Sequence, residues 1–334
     1  MTLQGPSSTS PDASPGYRRS PHWLALVAAV FTLPLLFVGG SVTTYRVGLA
    51  VPDWPSTFGI NMFLYDFWNA PFGVQVEHAH RLYGAAVGLA TIGLALWLSF
   101  LDPRRWMKAL GFVALATVIV QGVLGGTRVT QVSTVLAAVH GCTGQAFFGL
   151  MVALCVLTGR DWLSDAQALP DVHRYRRRSL IMLALVYVQI IFGAWLRHFG
   201  TVPALAAHGL LALAVLAHAI VLGAFIGKTR AEAPALVPAA TSLGLLASVQ
   251  VVLGVAALFY LLPFGGVPGP VTFYEAVIRT GHQTSAALVL AASVTLALRA
   301  WRHLAAVPVE SVEADPLPNS SGPQTVPANL EVVA

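Results

Sequence analysis

Apolar residues run along this chain in long blocks, and polar residues collect between them. Charge-free blocks recur at 20–45, 82–101, 109–127, 129–159, 179–196, 198–227, 236–274 and 280–298. Each block supplies the roughly 20 apolar residues that a helix needs to cross about 30 Å of hydrocarbon. The block 236–274 is too long for one crossing. Its stretch LLPFGGVPGP at 261–270 is turn chemistry, so one helix ends near Leu261 and a loop follows. The pattern predicts an all-α integral membrane protein with eight transmembrane helices.

Composition agrees with the pattern. The chain is 56% hydrophobic and 10% charged, whereas a soluble domain is about 25% charged. The cations then give a direction. With the N-terminus in the cytoplasm, fourteen of the nineteen Lys and Arg fall on inner segments: Arg18, Arg19, Arg104, Arg105, Lys108, Arg160, Arg174, Arg176, Arg177, Arg178, Lys228, Arg230, Arg299 and Arg302. The outer segments hold Arg46, Arg81, Arg128, Arg197 and Arg279. This bias predicts a multi-pass protein of a bacterial plasma membrane with both termini cytoplasmic. The formal charge of +5 then reflects topology, and no nucleic-acid partner is implied. Residues 1–21 and 304–334, rich in Ser, Pro and Gly or lacking periodicity, are predicted to be disordered cytoplasmic tails. The N-terminal stretch shows neither a transit-peptide pattern nor a cleavable signal. Cys142 and Cys155 share the fourth helix several turns apart, so neither a disulfide nor a metal site is expected from them.

An internal repeat organises the spans. QGVLGGT (121–127), QIIFGAW (189–195) and QVVLGVA (250–256) lie on the third, fifth and seventh helices, each with Gln and then Gly four residues on. FVGGSVT on the first helix is a weaker echo. Gln121 precedes His140 by nineteen residues, and Gln189 precedes His208 by the same nineteen. The repeat predicts two pseudo-repeated four-helix bundles, residues 22–159 and 179–303, joined by a cytoplasmic basic linker at 160–178. Small residues on the odd helices let backbones approach closely and leave room for a flat ligand.

Each even helix carries one histidine near its start: His80, His140, His208 and His282. A lone intramembrane histidine is commonly a packing residue. Four at equivalent positions make two pairs, and polar groups at membrane depth are costly and usually functional. Two facing imidazoles in a four-helix bundle supply both axial ligands of a haem iron, whereas zinc would want more N or S ligands. The outer arginines Arg46, Arg81, Arg128, Arg197 and Arg279 suit the two propionates of a haem. The remaining histidines are less informative. His22, His173 and His303 are juxtamembrane, His198 lies in an outer loop, His78 points away from His80, and His218 reads as packing.

The stretch GVQVEHAHRLYG (73–84) separates the two halves. Glu77 precedes His80 by one helical turn and shares its face, and Arg81 is placed to pair with Glu77 at the membrane edge. The matching positions in the second half hold Leu205 and Arg279. Glu275 is nearly two turns before His282, in the aqueous loop. One histidine pair therefore has a carboxylate beside it and the other does not. That asymmetry fits an enzyme with one reacting site and one redox haem. The alternative is a transmembrane di-haem b-type electron carrier without substrate chemistry, but four histidines at one depth disfavour it. A proton-coupled transporter is disfavoured by the lack of acids deep in the helices.

These residues resemble a known family. EHAHRLYG is similar to the E-x-x-H-R-x-x-G motif of haem A synthases. GGSVTTYRVGLAVPDWPSTFG (39–59) resembles the segment after that family's first helix, and RTGHQTSAALVL (279–290) resembles its eighth helix. The likeness covers about residues 22–303. It implies oxidation of the C8 methyl of haem o to a formyl group, giving haem a for terminal oxidase assembly. By position, it implies a catalytic Glu77, a haem o substrate held by His80 and His140, and a haem b cofactor held by His208 and His282. It further implies a membrane-lipid setting and work alongside haem o synthase and oxidase assembly factors. Some bacterial members carry cysteine pairs in outer loops, and this chain has none there.

Overall fold

The computed structural model describes residues 19–261 and 270–306. The expected disordered tails lie outside the described residues over 1–18 and 307–334, as do residues 262–269 of the predicted turn. Among the described residues, eight helices are long and apolar enough to cross a membrane. They are α1 (Arg19–Thr44), α2 (Phe72–Leu101), α3 (Arg105–Thr130), α4 (Thr134–Thr158), α5 (Val172–Phe199), α6 (Val202–Lys228), α7 (Val237–Leu261) and α8 (Phe273–Arg302). The protein is a multi-pass all-α membrane protein. Helices suit this setting because each satisfies its backbone polar groups internally. Large apolar side chains such as Phe100, Leu210, Leu245 and Val252 are exposed. Such a surface is a liability in water and the expected face toward lipid.

Consecutive helices pack on one another, and two further contacts close rings: α1 against α4, and α5 against α8. Between the rings, α8 touches α1 and α4, and α4 touches α5. One apolar core gathers Leu94, Leu98, Met107, Met151 and Leu154 among α2, α3 and α4. A second gathers Met182, Leu222, Ile226, Leu243 and Leu296 among α5 to α8. Cys142 and Cys155 are free thiols on α4.

Several boundaries differ from the hydrophobic blocks. Helix α2 begins at Phe72 rather than near 82, and α8 at Phe273 rather than near 280. Apolar blocks stop at charged residues, but helices do not when protein groups satisfy those charges. Pro71 precedes the first turn of α2, and the Thr272 hydroxyl caps α8 by accepting the Glu275 N–H at 3.2 Å. Glu77 and Arg81 consequently lie inside α2, buried rather than at an exposed edge. Glu275, expected in an aqueous loop, sits in the first turn of α8 and pairs with Arg279 at 2.7 Å.

The expected linker 160–178 is also structured. It comprises a 3-10 turn (Arg160–Leu163), strand β1 (Gln167–Leu169) and the first turns of α5. Residues 304–306, expected in the tail, form β2 (Leu304–Ala306), parallel to β1, with Gln167 opposite Leu304. Cations hold this end together. Arg176 donates to the carbonyls of Leu304 (2.7 Å), Trp301 (3.2 Å) and Ala300 (3.4 Å). Arg302 donates to Trp162 O at 2.5 Å, and Arg299 to Ala235 O at 3.2 Å. Burial, with Arg299 and Arg302 nearby, lowers the pKa of His303, whose Nδ1 meets Ser164 Oγ at 3.3 Å.

Candidate functional site

The four histidines are seated alike. Each rests its Cε1–Nδ1 edge on a glycine of the preceding helix. A Cβ at Gly39 would stand 2.7 Å from His80 Cε1, one at Gly193 2.9 Å from His208 Cε1, one at Gly254 2.9 Å from His282 Cε1, and one at Gly125 3.2 Å from His140 Cε1. Glycine is required by this close approach, and the Gln–Gly spacing read in the sequence marks three of the four seats, Leu35 standing in the place of Gln before Gly39. The glutamines tie the same hairpins together. Gln121 donates to Thr143 Oγ1 at 2.5 Å, Gln189 donates to His208 O at 2.9 Å, and Gln250 accepts from the Ser285 hydroxyl.

The Nδ1 atoms of all four histidines are buried, each ring within hydrogen-bonding reach of the backbone of Leu35, Gln121, Gln189 or Gln250 on the preceding helix, yet none of the four residues is buried as a whole. The accessible part is the opposite edge, which carries Nε2. The rings meet in two pairs. His80 and His140 have centroids 6.2 Å apart with planes at 83°, and His208 and His282 have centroids 6.2 Å apart with planes at 88°. Two metal–imidazole bonds of about 2 Å, with each ring centre about 1 Å behind its nitrogen, span that separation. The residues present therefore fit a bis-imidazole haem in each pair.

Among the described residues, a buried carboxylate stands one helical turn from a histidine in the first pair alone. Glu77 is 1% exposed. Its Oε1 accepts from Arg81 Nη2 at 3.0 Å and lies 4.0 Å from Arg128 Nη2, and its Oε2 accepts the Val51 N–H at 3.0 Å. Arg81 also donates to the carbonyls of Val51, Asp53 and Ser56, so most of its donors are engaged by the loop. Arg128 packs its guanidinium where a side chain at Gly48 would stand. Arg197, from α5, donates to Gly40 O and Thr44 Oγ1 on α1, both at 2.7 Å, beside the seat of His80. Arg279 is engaged by Glu275, and Arg46 adopts a positive φ of 59° just past α1.

Some residues of this region were not evident from sequence. His78 is fully buried, meets Thr57 Oγ1 at 3.1 Å, and packs its ring against Tyr65 and Phe67. The only signal for it was its place in the HAH triplet. His198 ends α5 within electrostatic reach of His140 and Arg128, so it belongs to the rim of the first pair. His218, read as packing, meets Arg178 O at 3.0 Å. In the loop, burial alone would raise the Asp53 pKa. Hydrogen bonds from the Gly59 N–H, the Ser56 hydroxyl and the Phe58 N–H outweigh it and bring the group from 3.8 to about 2.

A family model described as cytochrome oxidase assembly protein, COX15-CtaA, matches residues 22–207, more than half of the chain. The chain is also similar to proteins named Heme A synthase. That of Rhodopseudomonas palustris is 28% identical over 211 residues, covering 52% of this chain and 54% of the relative. That of Alkalihalophilus pseudofirmus is 28% identical over 178 residues, covering 52% and 58%. That of Staphylococcus haemolyticus is 28% identical over 191 residues, covering 54% and 60%. The chain spans little more than half the length of these relatives.

Proposed function

The chain belongs to the COX15-CtaA family of cytochrome oxidase assembly proteins, and from that premise we propose that it is a haem A synthase, oxidising the C8 methyl of haem o to the formyl group of haem a. The observation that supports this most is the pair of matched imidazole sites at 6.2 Å, of which only one has a buried carboxylate. We read the two rings of helices as duplicated halves. In the first, His80 and His140 hold the substrate haem. In the second, His208 and His282 hold haem b, which when bound supplies one-electron redox capacity. Haem o synthase and oxidase assembly factors are the expected partners.

The protein's own residues then have distinct tasks. The glycine seats fix the imidazole planes. The lipid-facing helices admit a substrate with a long apolar tail. Arg128 is the cation best placed to face a propionate, because Arg81, Arg197 and Arg279 already bond neighbouring groups at shorter range. Glu77 is the ionisable group able to accept a proton as the methyl is oxidised, a role worth roughly 10²–10⁴-fold in rate. Arg81 and the Val51 N–H hold its two oxygens in place. The cation distribution supports an external position, outside a bacterial plasma membrane, for residues 46–77, of which 72–77 form the start of α2, with both termini in the cytoplasm. Reporter fusions at Arg176 and at the C-terminus check this, and an external signal from either reverses it.

Pigment extracted from the purified protein tests the function. Haem b together with haem o or haem a is expected, and a protein free of pigment overturns the reading.

A further inference from the structure

The residues that flank His80 hold a stretch of the α1–α2 loop in place over the first imidazole pair. Val51, Thr57 and His78 are 0% exposed. Three side chains of α2 reach this stretch. Glu77 accepts the Val51 N–H at 3.0 Å, His78 Nδ1 meets Thr57 Oγ1 at 3.1 Å, and Arg81 donates to the carbonyls of Asp53 (2.7 Å), Val51 (2.9 Å) and Ser56 (3.0 Å). On the α3 side, the Trp54 indole lies against Gly126, next to the glycine that seats His140, and Arg128 lies against Gly48. The stretch thus bridges α2, the helix of His80, and α3, the helix whose Gly125 seats His140. Its far end is closed by Asp53, whose carboxylate accepts from the Phe58 N–H, the Gly59 N–H (both 2.8 Å) and the Ser56 hydroxyl. Phe58 and Gly59 have φ of 52° and 76°. That conformation is costly for Phe and is held by one anion receiving successive N–H groups.

We propose that residues 48–59 form a fixed roof over the first imidazole pair, and that His78 is a positioning residue: by pinning Thr57 it keeps the Val51 N–H on Glu77 and so sets the aim of that carboxylate. His78 itself points away from the imidazole pair, and it acts through the loop. Its ring is wedged against Tyr65 and Phe67, with centroids 5.3 and 5.1 Å away, so both its apolar faces and its polar edge serve the loop. Misplacing a reacting group by about 1 Å costs roughly 10²-fold. The aim toward a reacting methyl rests on the function proposed above; the roof does not.

The test uses the full chain in detergent, with Cys142→Ser and Cys155→Ser and a single reporter, Val51→Cys, probed with a maleimide. In this parent the reporter is expected to be protected. Adding His78→Ala is expected to speed labelling roughly tenfold or more by local opening. Thr57→Val, which removes one hydroxyl and keeps the shape, is expected to do the same, whereas Thr57→Ser restores protection. That rescue separates loss of the hydrogen bond from general loosening, and Thr57→Val serves where His78→Ala does not fold. In cells, His78→Ala is expected to lower haem a roughly 10- to 100-fold, with haem b unchanged. Equal labelling of parent and His78→Ala overturns the roof. Faster labelling with unchanged haem a overturns the positioning role. Haem a is measured in the otherwise unsubstituted chain, with and without His78→Ala; an unsubstituted chain that makes no haem a at all instead contradicts the proposed function, and the labelling comparison is read without it.

Discussion

His80 and His140 face each other at the same ring separation as His208 and His282, and every one of these rings rests on a glycine of the preceding helix. What covers the two pairs differs. Above the first lies a long loop pinned by Glu77, His78 and Arg81. In the last four helices, α5 and α6 are joined through Gly200 and Thr201, and Leu205 occupies the place of Glu77. The family match runs from residue 22 to 207, through the first four helices, α5 and the first turns of α6, and ends just before His208. Holding a flat metal ring takes only two imidazoles and two glycines. Acting on the ring, in the function proposed above, takes a buried carboxylate and a structure to aim it, and among the described residues the first four helices alone have both.

The comparison breaks most visibly at the ligands. His208→Ala or His282→Ala is expected to abolish the low-spin haem b spectrum, while His80→Ala leaves it intact. Haem b that stays low-spin at normal occupancy in both variants removes the assignment. Next in size is Glu77→Gln, which keeps shape and polarity but removes the charge and one of the two acceptor oxygens. Haem a is expected to fall by roughly 10²–10⁴-fold, with haem b retained and haem o accumulating. Wild-type haem a would take Glu77 out of the mechanism. A merely structural role for the pair predicts a folding defect instead, because it is buried and breaking it is strongly destabilising.

Smaller effects sharpen the likeness of the seats. At Gly39, Gly193 and Gly254 a Cβ would stand under 3.0 Å from imidazole carbon, but at Gly125 it would stand at 3.2 Å. Gly193→Ala and Gly254→Ala are therefore expected to lower haem b occupancy through about 1–3 kcal/mol of overpacking, and Gly125→Ala to perturb its own site less than Gly39→Ala does. Haem content per protein measures this, and equal losses at all four would refute the graded contact. The smallest effect is one of pH. The folded pKa of Asp53, about 2, lies below the unfolded 3.8. Its contribution to the roof is thus complete above about pH 4 and is lost as pH falls toward 2. Pepsin is expected to begin cutting between residues 53 and 60 only over that interval, and Asp53→Asn to be cut at pH 4 already.

Much of this was legible in the sequence because it depends on side-chain type at fixed spacing. Blocks of apolar residues gave the eight spans, and the Gln–Gly spacing with one histidine per even helix marked the seats. What was not legible depends on backbone acceptors. The bonds of Arg81 to three loop carbonyls, and of Arg176 to three more at the opposite end, leave no mark in residue type. For the same reason the helix starts of α2 and α8 were read late, since their charges are satisfied by groups distant in sequence or by their own first turns. Strands of three residues, β1 and β2, fall below any periodicity. Arg197 was read as a rim cation, but its reach across to α1 required the packing of α5 to be known.

The end of the molecule where β1 and β2 pair is riveted: Arg176, Arg299 and Arg302 cross-link α5, α7, α8 and the turn after α4 through main-chain oxygens. Mechanically, that end is a pivot. A helix about 30 Å long, fixed there, needs to tilt only about 7° to carry its far end about 3.5 Å, which is the contact distance of one stacked carbon layer. At the opposite end the loop pinned by Glu77, His78 and Arg81 holds α1 to α2, so any such tilt there would first have to break those bonds.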